Sequence, residues 1–415
     1  PTATLERVDA DAPGLHLTVF FRGPPGRFPA VFHRADVPGV PCPGRRDARG
    51  DRPAHSLRDA RGAGLSQVWS HHRAHRFFSA ARWCPDQVGL ALARLVVGLL
   101  VVDDAPVLVA VDDTLFHRSG KKVWAAGWFH DGSAKGSHQV GYGNNWVVVG
   151  VVVTLPMLNR PVCLPVLARL VRKDTTSASR LRLATQAVTR LAAALPGRTV
   201  HVVADAAYAY AGDDLRALPA SVTWTTRLRK DAALFDLAPP RTGKRGRPRL
   251  KGDRLGSLAQ LAATATFTPV DILRYGEHAT VHVATIRCLW YGVFGTRPVT
   301  VVLVRDQPAR ACTYDLALVT TDPAATPGQV VERYAARWSV EVMIADAKQI
   351  FGVGQARNRL KLAVERTVPF GLTCQTLTIC WYATAGHHPA DVTDRQRHAP
   401  WYTTKTYPST RAARR

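Results

Sequence analysis

The sequence predicts an α/β protein: a mixed sheet flanked by helices, interrupted by a mostly β insertion and preceded by a small helical region. Three observations carry this reading. Between residues 106 and 228 the elements run β-β-β-α-β-α-β. Two of those strands are short apolar runs that lead directly into acids, Asp112-Asp113 and Asp205. A third acid, Glu341, lies on a stretch without Gly or Pro from Val330 to Ile350, which reads as a helix.

In chain order, residues 1–62 hold nine prolines and ten arginines and no lysine. They read as irregular or poorly ordered, a tail or an out-of-frame translation. Residues 63–103 read as a helical, DNA-binding region. Trp69 to Phe78 reads as a basic helix, and a second helix follows Pro85, apolar at Val88, Leu90, Leu92, Leu95 and Val96. The histidines 71, 72 and 75 read as a solvated basic face rather than a metal site.

Residues 104–228 form the first part of the catalytic core. Pro106–Val111 is a buried strand ending at Asp112-Asp113-Thr114, residues 115–144 an irregular connection or hairpin, and Trp146–Thr154 and Arg160–Val171 two further strands. Thr176–Leu195 is a helix stopped by Pro196-Gly197. Thr199–Ala204 is a strand ending at Asp205, and a short helix (212–218) and a strand (222–228) complete the set. This order matches a ribonuclease-H-like sheet, in which the first and fourth strands are neighbours, so Asp112 and Asp205 would meet. Residues 229–325 read as a basic, mostly β insertion. Arg227 to Arg254 carries ten Lys and Arg against three Asp. Residues 326–385 return to the core with the Glu341 helix and an apolar helix around 368–382. Residues 386–415 read as an irregular basic tail.

The formal charge is +24, from 55 Lys and Arg against 31 Asp and Glu, which favours a polyanionic partner, nucleic acid foremost. The longest apolar run, Trp146–Val153, is too short to span a membrane. No charged-then-apolar leader pattern opens the chain, so a cytoplasmic bacterial protein is expected. The seven scattered cysteines contain no CxxC and read as buried thiols.

At about 100° per residue, Tyr334, Arg337, Glu341 and Lys348 fall within about 60° of one another on a helix. An acid, two bases and a phenol make a poor core stripe. Three converging carboxylates, Asp112, Asp205 and Glu341, repel one another unless a cation neutralises them. Oxygen ligands select Mg²⁺ or Mn²⁺. Two such ions about 4 Å apart can activate a water and stabilise a leaving oxygen in phosphodiester cleavage. Arg337 and Lys348 could grip phosphates beside them, and Tyr334 could orient a phosphate or Glu341. Asp112 and Asp113 point to opposite faces of a strand, so only one can be the ligand.

The spacing Tyr-x2-Arg-x3-Glu-x6-Lys resembles the YREK signature of DDE transposases of bacterial insertion sequences. Asp112-Asp113-Thr114 resembles that group's first motif and Asp205-Ala206-Ala207-Tyr208 its second. The resemblance covers about 65–385. It implies a ribonuclease-H-like core, a β insertion, two-metal cleavage of an element's ends, attack of the freed 3′-hydroxyl on double-stranded target DNA, and a homodimer on DNA ends. It selects Asp112 as the ligand and leaves Asp113 as a hydrogen-bonding neighbour. A non-catalytic DNA-binding remnant and a nuclease that cuts without joining are the alternatives.

Other DNA contacts are expected at Lys121 and Lys122 and at Arg245-Gly246-Arg247-Pro248, which reads equally as an AT-hook core or as a solvated basic loop. Trp290 and Tyr291 are candidates for stacking on an unpaired base, and Trp338 reads as a packing residue.

Overall fold

The computed structural model describes residues 71–132, 134, 139–173, 178–210, 212–240, 247–307, 314–398, 400–401 and 407–408. Residues 1–62, expected to be irregular, and Arg245 lie outside them. Helices α1 (His71–Ser79) and α2 (Pro85–Leu100) come first. Strands β1 (Val107–His117), β2 (Gly127–His130), β3 (Val140–Val153) and β4 (Val162–Leu170) follow, then α3 (Arg180–Ala194), β5 (Val200–Ala204) and β6 (Val222–Arg227). Next are α4 (Leu258–Thr264), β7 (Thr268–Arg274), β8 (Glu277–Cys288), α5 (Tyr291–Phe294), β9 (Val299–Arg305) and β10 (Leu316–Thr320). Helices α6 (Pro327–Ala336), α7 (Trp338–Gln349), α8 (Lys361–Trp381) and α9 (Asp391–His398) close the chain. Among the described residues no helix is long and apolar enough to cross a membrane.

The ten strands form one sheet. Strand β3 pairs antiparallel with β1 and with β4, while β1, β5 and β6 run parallel to one another. The order β4-β3-β1-β5-β6, three antiparallel strands followed by two parallel to the first, is the ribonuclease-H-like arrangement. The strands of the predicted insertion extend this sheet, because β10 pairs antiparallel with β6 and leads through β9 and β8 to β7.

Period-2 alternation along β1 assigns each residue to a face. Val107, Val109 and Val111 enter the core shared with α2 (Leu92, Val96) and α3 (Leu181, Val188). Ala110 enters the opposite core, shared with Val340, Met343 and Ala347 of α7 and Val368 of α8. Further along the sheet, Val330 and Val331 of α6 pack on Val281, Val302 and Leu318. Helices α6 and α7 therefore lie along one face of the sheet, one over its extension and one over its β4-β3-β1-β5-β6 half.

Four expectations need correction. Strand β1 does not end at its acids but continues to His117, because β3 pairs with it as far as Gly143. Residues 212–218 form turns, with one isolated Ala217 N–H to Asp213 carbonyl bond; a single turn fixes too many dihedrals per hydrogen bond to persist as a helix. The 327–350 helix divides at Arg337, where the Arg337 N–H reaches the Tyr334 carbonyl and the Val340 N–H the Arg337 carbonyl, both three residues back. The basic tail contains α9, whose Asp391 accepts from the His388 N–H and the Tyr382 hydroxyl, a cap that composition alone does not reveal.

Candidate active site

Asp112 follows Ala110 on the α7 face of β1, and Asp113 follows Val111 on the α3 face. Their surroundings differ accordingly. Asp113 accepts hydrogen bonds from Asn145 Nδ2 (2.9 Å), Arg180 Nη1 (3.0 Å) and the Tyr208 hydroxyl (3.0 Å). Tyr208 is 1% exposed, and burial followed by the Asp113 charge pushes its phenol well above its usual range. Asp113 is thus the acceptor that ties β1, β3, α3 and the turn after β5 together. The sequence does not single out Arg180. Its only signal is its position at the start of α3, which Ser179 caps by accepting from the Arg182 N–H.

Asp112 has one hydrogen bond within this set, from the Asp113 N–H to Oδ1 (2.8 Å). Burial pushes its carboxyl up to about 7. The Asp113 N–H opposes that rise, the Asp205 charge adds to it, and Arg337 opposes it. Asp205 stands two residues beyond Val203, which shares the α7-side core with Ala110. Its Oδ1 accepts the Ala207 N–H at 2.9 Å, and its carbonyl accepts Thr226 Oγ1 at 2.8 Å. The parallel pairing of Val111 with Ala204 brings the two acids to the same level, Asp112 within β1 and Asp205 just past the end of β5.

Glu341 sits in the first turn of α7. Arg337 Nη2 donates to Glu341 Oε1 at 2.8 Å, and its Nη1 lies 3.7 Å from Asp112 Oδ2. The guanidinium therefore bridges the first and third acids and occupies the charge-neutralising position between them. Its carbon lies 5.6 Å from the Tyr334 ring centre. Burial alone would lower the Arg337 pKa, but Tyr334, Glu341 and Asp112 hold it above its usual value. Arg337 Nε is buried and has no hydrogen-bond partner among the described residues, leaving a donor to offer a ligand oxygen.

Lys348 lies in the last turn of α7, with Nζ 5.5 Å from the Phe116 ring. Phe116 is four residues beyond Asp112 on the same face of β1, roughly 13 Å along the strand. Burial lowers the Lys348 pKa and Asp131 opposes that shift. Lys121 and Lys122 are exposed in the loop after β1, and Arg247 is exposed beyond β6. Two aromatic expectations reverse. Trp290 is 7% exposed and packs edge-on against Phe294, whereas Trp338 is 49% exposed beside Arg337.

The donor chemistry suits a hard divalent ion: carboxylate oxygens, one of them raised by burial and by its neighbour, with a guanidinium already acting as counter-charge. Among the described residues no group of three His, Cys, Asp or Glu side chains is drawn together closely enough to hold a metal. Asp112 and Asp205 lie close enough for their charges to interact, while Glu341 is held to Arg337.

The chain matches the DDE superfamily endonuclease family over residues 50–291. It belongs to that family. The matched span contains Asp112 and Asp205 and stops before Glu341. No curated protein matches this chain. Among solved structures it is similar to a piggyBac transposase synaptic complex with hairpin DNA, at 12% identity and a TM-score of 0.37. The similarity covers 75% of this chain and 51% of that one, so this chain spans about half the length of that structure's chain.

Proposed function

We propose that this endonuclease is a transposase of the YREK group of bacterial insertion sequences, cutting double-stranded DNA at the element's ends and joining the freed 3′-hydroxyl to target DNA. The observation that carries the reading is the juxtaposition of Asp112, within β1, and Asp205, just after the adjacent β5, with Arg337 bridging Asp112 to Glu341. Asp112, Asp205 and Glu341 are the residues that would hold Mg²⁺ or Mn²⁺, two ions in the proposed form. When bound, the metal supplies an activated water or hydroxyl and charge stabilisation at the scissile phosphate. The chain's own contribution is placement. Asp113 and its three donors fix β1, so Asp112 is held at one depth in the site. Arg337 keeps Glu341 turned toward the strand acids and offers its unpartnered Nε to a phosphate oxygen. Tyr334 supports the guanidinium from beneath. Two copies holding two ends would form a homodimer.

Incubating the protein with Mg²⁺, a target plasmid and labelled duplexes from the DNA flanking the gene tests this. Joined products are expected. Cleavage without joining would make it a nuclease only, and a gel shift with neither would make it a DNA-binding protein. A second result concerns the bridge. Arg337→Ala leaves Asp112 and Glu341 without their counter-charge, so metal-free stability falls by about 1–3 kcal/mol. Added Mg²⁺ then raises the melting temperature more than in wild type; an equal rise in both proteins would count against a metal site at these acids.

A further inference from the structure

Two loops continue the elements that carry the acids, and they meet at one surface. The first, residues 118–124, leaves β1; the second, residues 354–361, follows α7. Arg118 clamps them, donating from Nη1 to the carbonyls of Gly354 and Ala356 (2.7 Å each) and from Nε to Asn144 Oδ1 (2.9 Å). Fully buried Asn144 donates to the Trp124 carbonyl at 3.0 Å, and the Trp124 N–H donates to the Arg359 carbonyl at 3.0 Å. Gly354 has φ +90°, and a Cβ there would stand 2.3 Å from the Phe116 ring. Only glycine lets the second loop approach β1 this closely.

This buried scaffold presents five exposed cations, Lys121, Lys122, Arg357, Arg359 and Lys361. Trp124 is 37% exposed among them, with Lys361 Nζ 5.4 Å from its ring. No acid occurs in residues 114–130 or 351–364. The next acids are Asp131, which is 6% exposed and pairs with His117 at 3.0 Å, and half-buried Glu365, one turn after Lys361 on α8. A cluster of like charges without acids, held by buried backbone bonds, repels itself in solution and is relieved by a polyanion.

We propose that the 118–124 and 354–361 loops form a second DNA-contact platform, gripping duplex phosphates away from the acids; this rests on the DNA-cleaving reading above. Along β1 the platform begins six residues past Asp112, roughly 20 Å. At about 3.4 Å per base pair that is about six base pairs from the cut. The platform holds the flanking duplex, and its rigid link to β1 and α7 sets the register of the scissile phosphate.

The test is a salt titration of binding to a labelled random-sequence duplex, read by fluorescence anisotropy without divalent metal. The triple variant Arg357→Ala, Arg359→Ala, Lys361→Ala is expected to bind about tenfold or more weakly near 0.1 M salt. Its slope of log affinity against log salt should be shallower by roughly 2–3, close to 0.9 for each phosphate no longer neutralised. The charge-preserving variant Arg357→Lys, Arg359→Lys, Lys361→Arg should keep the wild-type slope. An unchanged slope in the alanine variant, with wild type still cutting DNA, overturns the platform alone. Equal loss in both variants also overturns it, because the loop's shape rather than its charge would then be responsible. A wild type without salt-dependent affinity for the duplex overturns the platform and the DNA-cleaving reading together.

Discussion

Asp112→Asn abolishes nicking and at the same time stabilises the fold at alkaline pH. The rate effect follows from the proposed role of Asp112, which interacts with Arg337 and the Asp205 charge; removing a carboxylate that would hold the metal costs several kcal/mol of transition-state stabilisation, about 10³-fold or more. The stability effect follows from burial, which with the Asp205 charge raises the Asp112 carboxyl from 3.8 to about 7. The folded protein binds this proton more tightly than the unfolded chain does. The group's stabilising contribution is therefore complete below about pH 4 and lost as pH rises through about 7. Asparagine imitates the protonated carboxyl. The variant should match wild type near pH 4 and exceed it at about pH 8, by up to roughly 4 kcal/mol for a shift of this size. Paired thermal melts read the difference; a variant less stable than wild type at about pH 8 would sink the account. Asp113→Ala should do the opposite. It strands the buried Tyr208 hydroxyl and the Asn145 and Arg180 donors, costing about 2–4 kcal/mol, with nicking weakened through the fold. The reverse ranking of the two variants in a nicking assay would reassign the acid.

The contrast between these neighbours is legible in the sequence because strand alternation has a period of two residues, so adjacent acids must part. The same alternation marks the buried strands, and helix periodicity marks the stripe through Tyr334, Arg337 and Glu341. What stays hidden depends on partners distant in the chain. Strand β1 carries on past its acids because β3 is long enough to pair with it, and nothing in 112–117 says so. Strand β10 extends the sheet because β6 leaves an edge open, a matter of pairing rather than pattern. The division at Arg337 involves neither Gly nor Pro; it coincides with the residue whose guanidinium reaches between Asp112 and Glu341. The seat of Lys348 over Phe116, and the loop at 354–361 beside Lys121 and Lys122, likewise emerge only once α7 is laid on the sheet.

Asp322→Ala should be the most destabilising single change on the face beneath α6. Asp322 follows β10 and is 7% exposed. Its Oδ2 accepts Arg333 Nη1 at 2.6 Å, its Oδ1 accepts the Ala324 N–H at 3.1 Å, and His201 Nδ1 stands 3.7 Å away. Burial alone would raise the Asp322 carboxyl, but the Arg333 bond, the Ala324 N–H and the charges of His201 and Arg333 hold it below its usual value. Its contribution to stability is therefore present above about pH 4 and lost as pH falls through the depressed folded value. Removing the carboxylate leaves Arg333 inside with no counter-charge, at a cost of about 3–5 kcal/mol near neutral pH. Arg333 precedes Tyr334 on α6, so the same change loosens the helix that leads into Arg337 and Glu341, and nicking should fall with stability. Urea unfolding reads the first effect and the nicking rate the second. The double variant Asp322→Leu, Arg333→Met removes both charges together and should recover much of the stability, since an apolar pair avoids the desolvation that the single variant leaves uncompensated. If the double variant is as unstable as Asp322→Ala, the loss comes from packing and the stranded guanidinium is not its cause.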